Sequence, residues 1–166
     1  AFSFKNKTIR KLLLDYNRIE ILKNFTFSAM SQLSTLELSN NRISAIEIFA
    51  FYSLDKLSYL SLHHNHLKYI FNNVFDDLLE LDFLDLSYNL IESIDRDAFS
   101  KIFNLIYLKL NSNFIKFLDE RIFQNLNLLR KIYLSKNKIE ILKVNLLINC
   151  TRLEEIYLDS NQLRHI

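Results

Sequence analysis

Apolar residues in this chain return on a 24-residue beat. The unit begins at Ile9, Leu33, Leu57, Leu81, Leu105, Leu129 and Leu153, with no insertion between copies, and a fixed period between about 20 and 50 residues is the signature of a stacked repeat protein. Position 4 of the unit is Leu or Ile and position 6 is Leu in every copy, as in Leu84 and Leu86 of the fourth. That alternation is the period-two pattern of a strand buried on one face, so positions 3, 5 and 7 point the other way. Positions 11 and 14 are Ile or Leu throughout. Position 19 runs Phe27, Phe51, Phe75, Phe99, Phe123 and then Leu147, and position 22 is apolar from Met30 to Cys150. Each repeat is therefore predicted to open with one short strand and to close its far side with a large apolar residue.

Position 9 breaks the apolar pattern, because it is Asn in every copy: Asn17, Asn41, Asn65, Asn89, Asn113, Asn137 and Asn161. A polar side chain held at one place among apolar ones needs hydrogen-bond partners. An amide that both donates and accepts suits the unpaired backbone groups where a strand turns a corner. The column is read as structural.

Written out, the constrained positions are LxxLxLxxNxLxxIxxxxFxxL, which resembles the typical class of leucine-rich repeat over essentially the whole chain. The resemblance implies an α/β repeat solenoid, a right-handed superhelix with a parallel β-sheet on its concave face and loops and short helical turns on its convex face. It also implies a place among animal extracellular proteins similar to Toll-like receptor ectodomains and secreted immune leucine-rich-repeat proteins. The opening FKNKTIRKL and the bias toward Ile, Lys, Asn and Phe resemble insect members of that group. The plant-type LxGxIP pattern is excluded, since the chain has no Gly and no Pro.

Residues 1–166 are read as a single leucine-rich-repeat domain, with 1–8, including Phe2 and Phe4, the remnant of a preceding repeat or an N-terminal cap. A solenoid buries its apolar residues between neighbouring repeats instead of in one globular centre. Apolar runs are only a few residues long, far short of the ~20 needed to cross a bilayer, so no membrane span is expected. The start, AFSFKNKTI, has neither the charged leader nor the ~7–15-residue apolar core of a secretory signal. Extracellular members of the family usually carry cysteine-rich caps, and here Cys150 stands alone. The chain is accordingly expected to be mature, processed or part of something longer, or else to hide its ends by self-association. With 21 basic and 19 acidic residues, the net charge of +2 offers no general attraction to nucleic acid or anionic lipid.

Little chemistry is expected. Cys150 takes a core position that is Met, Leu or Ile in the other copies, so it is read as a small buried hydrophobe. His63, His64 and His66 fall within four residues, but alternation aims them apart and no second cluster supplies the remaining zinc ligands. Ser61 with His63, and Asp82 with Asp85, sit on an open sheet without the enclosure that perturbs catalytic groups. No cofactor, metal or catalytic role is assigned. Sequons at Asn6, Asn24 and Asn149 mark candidate N-glycosylation sites; Asn24 and Asn149 lie on the loop side, where glycans would leave the sheet free.

What remains is the concave surface. Position 3 reads Lys11, Thr35, Tyr59, Phe83, Tyr107, Lys131, Glu155, and position 5 reads Leu13, Glu37, Ser61, Asp85, Lys109, Tyr133, Tyr157. Neighbouring strands lie ~4.8 Å apart, so each column runs side by side across the sheet. Tyr59, Phe83 and Tyr107 thus make an aromatic strip that Tyr133 and Tyr157 extend, flanked by Asp85, Lys109 and Lys131. Aromatics in a row are enriched at protein–protein hot spots, and alternating charge sets register with one partner. These residues are the candidate partner-binding set for a non-catalytic, extracellular or secreted recognition module; the partner is a protein and not a nucleic acid. The alternative is a scaffold acting through homotypic assembly at uncapped ends or the lateral edge. On that edge, Ile21, Tyr69, Phe117 and Ile141 share position 13, with Phe71 and Phe114 nearby, and ordinary packing of the descending loop is expected there.

Overall fold

A computed structural model describes residues 8–164. Seven strands form one parallel sheet: β1 (Lys11–Leu13), β3 (Thr35–Glu37), β5 (Tyr59–Ser61), β7 (Phe83–Asp85), β9 (Tyr107–Lys109), β10 (Lys131–Tyr133) and β11 (Glu155–Tyr157). They pair strictly with their neighbours in sequence, and the register joins position 3 to position 3, as in Tyr59↔Phe83 and Phe83↔Tyr107. Position 4 is buried in the central copies because its Leu or Ile points between the turns of the coil. Four two-residue strands follow the corner, β2 (Ile21–Leu22), β4 (Ala45–Ile46), β6 (Tyr69–Ile70) and β8 (Ser93–Ile94), pairing as β2-β4 and β6-β8. The rest of each coil is a series of turns closed by i→i+3 bonds such as Met30 N–H to Phe27 O and Ala98 N–H to Asp95 O. No helix long and apolar enough to cross a membrane occurs among the described residues.

The convex side is closed by a stack of phenylalanines. Phe27, Phe51, Phe75, Phe99 and Phe123 are all essentially inaccessible, with centroids 6.1–6.3 Å apart and near-parallel planes. Each ring fills the gap its predecessor leaves, so a truncation would open a cavity shared by two repeats. In the sixth copy Leu147 replaces Phe and is only half buried.

The Asn column satisfies the backbone at the corner after each strand. Asn89 accepts the Leu67 N–H on Oδ1 at 3.0 Å and donates Nδ2 to the Leu62 and Leu86 carbonyls at 2.9 and 3.1 Å, with 3% exposure. Asn41, Asn65, Asn113 and Asn137 repeat the pattern. One amide therefore ties two consecutive repeats at three backbone groups. The preceding residue pays a conformational cost: Tyr16, Asn40, His64, Tyr88, Ser112, Lys136 and Ser160, all at position 8, have φ of 52–58°. A chain without glycine accepts roughly 1–2 kcal/mol at each such left-handed residue, and the N–H of the first six, as in Tyr88 to Asn111 O at 3.0 Å, bonds forward to the next repeat.

Two stability outcomes follow. Asn89→Ala is expected to lose about 1–3 kcal/mol, since buried backbone groups on both sides are left unpaired; an unchanged urea midpoint would refute the column's role. Lys136→Val should lose about 1–2 kcal/mol because a β-branched residue resists positive φ, whereas Lys136→Gly should match or exceed the native stability. Equal losses for both would show that the side chain, not the backbone conformation, matters there.

Candidate protein-recognition face

The concave columns assemble as two aromatic stacks joined by one cation. Tyr59 and Phe83 lie face to face with centroids 4.6 Å apart, and Tyr107 continues the row, tilted and 6.3 Å from Phe83. Tyr133 and Tyr157 form a second parallel stack at 4.6 Å. Between the stacks, Lys109 Nζ sits 5.3 Å from the Phe83 centroid and 5.8 Å from that of Tyr133, within the range of cation–π attraction. The same ammonium is 3.4 Å from Asp85 Oδ2. Asp85 in turn accepts from the Ser87 N–H and hydroxyl and is only 6% exposed. It is thus placed to fix Lys109 more than to touch a partner. Tyr59, Phe83, Tyr107 and Tyr133 are half-buried against one another, and Tyr157 is exposed. Ser61 is fully buried among these larger neighbours.

Toward the C-terminal end of the face, charges are paired within the chain. Lys131 binds Glu155 at 2.7 Å and Arg130 binds Glu154 at 2.6 Å. The hydrogen bond from Lys131 raises its own pKa and lowers that of Glu155, which also accepts from the Tyr157 hydroxyl. Burial raises the Tyr59 phenol, reinforced by the nearby Glu37 and Asp85 charges. Burial also raises Asp82.

One surface feature has no counterpart in the sequence reading, and a second departs from it. Where the sheet meets the corner, an open hollow of about 430 Å³ is lined by His63, His64, Tyr88, Lys109, Tyr133 and Lys136. His64 stacks on Tyr88 at 4.3 Å, and both are position-8 residues with positive φ that turns their side chains outward. On the lateral edge, the expected loop packing is not what the structure shows: Tyr69 is 51% and Phe117 66% exposed, with Ile21 and Ile141 similar. The strand geometry gives the reason. Along β2 and β6, Leu22 and Ile70 are buried, so alternation aims Ile21 and Tyr69 into solvent.

Of the remaining candidate positions, Asn6 lies outside the described residues. Asn24 is exposed, and its Oδ1 accepts the Phe49 N–H while its own N–H bonds Glu47 Oε2, a reciprocal clamp that Asn72 repeats with Asp95 and Asp97. Asn149 is exposed but donates Nδ2 to Gln124 O at 3.0 Å. His66 is exposed. Cys150 is buried, and burial pushes its thiol up to about 11. A raised folded pKa favours the neutral thiol, so this contribution to stability is complete below the ordinary value of 9.0 and is lost as pH rises toward 11.

The native chain at pH 8 is therefore expected to resist a thiol reagent and to react fully once unfolded; rapid native labelling would refute the burial of Cys150. Removing the ammonium in Lys109→Met should cost about 1–2 kcal/mol, since the Asp85 carboxylate stays buried without its cation. The Asp85→Asn, Lys109→Met double variant should be less destabilised than the two single losses added together. Strict additivity in that cycle would mean the two groups do not interact.

The leucine rich repeat family profile matches five overlapping stretches of the chain, residues 7–67, 32–91, 55–113, 80–139 and 103–163. Among solved structures, TLR13 in its complex with ssRNA13 is similar, with a TM-score of 0.72 and 28% sequence identity over 89% of this chain and 24% of that one. The chain thus spans about a quarter of that relative's length. No curated protein sequence matches it. The unbroken parallel sheet, the Asn and Phe columns and the profile matches from residue 7 to residue 163 agree: the chain belongs to the leucine-rich repeat family.

Proposed function

We propose that the chain is a non-catalytic recognition module of an extracellular or secreted protein, binding a protein partner on its concave face. The observation that carries the reading is the Tyr59–Phe83 and Tyr133–Tyr157 stacks bridged by Lys109. Stacked aromatics have few rotamers left to lose, so a partner gains their contact area at small entropic cost. A leucine-rich-repeat fold and its likeness to a Toll-like receptor support a protein-interaction role.

TLR13 was crystallised with a single-stranded RNA. Phosphate binding draws on cations free to replace counterions, and here Lys109, Lys131 and Arg130 are each already paired with a carboxylate. That favours a protein partner whose charges alternate in step with the face. The innate-immune association likewise rests on that resemblance. Glycans on Asn24 would sit on the convex side, and attachment at Nδ2 leaves its Oδ1 clamp on Phe49 intact. At Asn149 attachment would replace the bond to Gln124.

The test is a selection of displayed ectodomains against the chain, followed by titration of any binder against variants. Tyr59→Ser, Phe83→Ser and Tyr107→Ser should each weaken binding by about thirtyfold if they act as anchors; Tyr69→Ser and Phe117→Ser should leave it within a factor of about three. Binding lost only in the second pair would move the site to the lateral edge. A fluorescent single-stranded RNA should bind only weakly and lose that binding at physiological salt; tight binding that survives would overturn the protein reading. After expression in a secretory host, glycosidase-sensitive mass is expected at Asn24 more than at Asn149. A chain unmodified at both would count against the secreted assignment.

A further inference from the structure

The hollow beside the aromatic stacks lies where one column of the repeat loses its ring. Position 8 runs His64, Tyr88, Ser112, Lys136 from the third copy to the sixth. His64 and Tyr88 stack with centroids 4.3 Å apart, so the column advances by one ring per repeat. Ser112 carries no ring, and among the described residues the exposed Tyr88 stacks on nothing but His64. Tyr88 and Lys136 stand two repeats apart, roughly 10 Å at the spacing of parallel strands. A flat ring in contact on both faces needs about 7–8 Å, so the gap over Ser112 admits one ring and no more.

The groups around that gap are donors without acceptors. Lys136 is exposed and makes no ion pair among the described residues. The Asn111 side chain, which also lines the hollow, makes no hydrogen bond there, and the His63 and His64 rings meet only other rings. The acceptors are already taken. Asp85, the one carboxylate lining the hollow among the described residues, gives Oδ1 to Ser87 and Oδ2 to Lys109. The next acids along these columns, Glu37 and Asp159, accept from the hydroxyls of Tyr59 and Ser135. With the imidazoles counted as neutral, Lys109 and Lys136 against Asp85 leave one positive charge unbalanced.

We propose that the hollow is a site for one singly charged aryl oxyanion. The ring of the ligand continues the His64–Tyr88 stack over Ser112, and its sulfate ester or carboxylate takes the Lys136 ammonium and the Asn111 amide. Neither half suffices alone, since an exposed ion pair contributes little and the ring supplies the contact area. A phosphate monoester carries about −1.5 to −2 at pH 7, more than the unbalanced charge matches with Asp85 and Asp159 close by. A polyanion is served still less, because its affinity comes from many free cations at once. Two sources carry the chemistry, a sulfated tyrosine on a protein and a free aromatic acid. The hollow is open and adjoins the Lys109 bridge between the stacks, so a group presented on a protein gains contacts beyond it that a free acid does not. Assigning the group to a protein rests on the concave-face reading; the ring-and-anion chemistry of the hollow does not.

The test is titration of the isotope-labelled 166-residue chain by two-dimensional NMR, reading the Asn111 side-chain amide and the position-8 backbone amides. Phenyl sulfate should bind with a dissociation constant on the order of millimolar, the range of a fragment-sized ligand. Phenol, which lacks the charge, and inorganic sulfate, which lacks the ring, should each bind about fivefold more weakly or worse. Phenyl phosphate should bind no tighter than phenyl sulfate. Lys136→Asn and Asn111→Asp should each weaken phenyl sulfate by about fivefold or more, and Ser112→Tyr, which fills the gap, should abolish its binding. Each substitution installs a residue that the same column holds in another repeat, as Asn40, Asp15 and Tyr16 do, and circular dichroism checks that the fold is kept. A peptide bearing sulfated tyrosine should bind at least as tightly as phenyl sulfate; a peptide that fails where phenyl sulfate binds would give the hollow to a free aromatic acid and overturn the protein source alone. No perturbation at tens of millimolar phenyl sulfate, tighter binding of phenyl phosphate, or binding indifferent to Ser112→Tyr would each overturn the site. None of these results bears on the Tyr59, Phe83 and Tyr107 variants, which decide the concave-face reading separately.

Discussion

The whole architecture rests on how the chain gets round the corner after each concave strand. A strand can hand its hydrogen bonds to its neighbours, but the corner leaves N–H and C=O groups facing inward with no partner, and buried orphans cost about 1–3 kcal/mol each. The Asn amide solves this for two repeats at once, because Oδ1 takes a N–H from the repeat before and Nδ2 gives to both. That geometry requires the residue ahead of Asn to adopt positive φ, and in a chain without glycine seven non-glycine residues do so. The strain is tolerated because the ladder over-determines it. A consequence is functional: left-handed backbone turns position-8 side chains such as His64 and Tyr88 outward at the margin of the concave face, where they wall the hollow beside the aromatic stacks.

Much of the fold was legible because the repeat samples each environment several times. Any single Leu has many explanations. Leu at position 6 in every copy has one, and the strand register Tyr59↔Phe83↔Tyr107 follows from it directly. The concave columns were legible for the same reason. Their internal contacts were not, because they depend on rotamers that no period encodes. Asp85 reads as an exposed acid on position 5, yet its short side chain lies below its neighbours and is bound by Ser87 and Lys109. Lys109 reads as a free cation, yet it lies over Phe83 and Tyr133 and joins two stacks into one surface.

The lateral edge was misread for a different physical reason. Apolar residues there suggested packing under a loop, since exposed aromatics are costly to a monomer. The structure instead follows alternation: with positions 11 and 14 pointing into the coil, position 13 has no direction left but outward. The signal that distinguishes the two was in the sequence as the unbroken apolar columns at positions 11 and 14, beside which position 13 varies from Ala45 and Ser93 to Tyr69 and Phe117. The Asn24 and Asn72 clamps were missed for want of the same reading, since position 16 is Asn in only those copies and pairs with an acid one repeat further on.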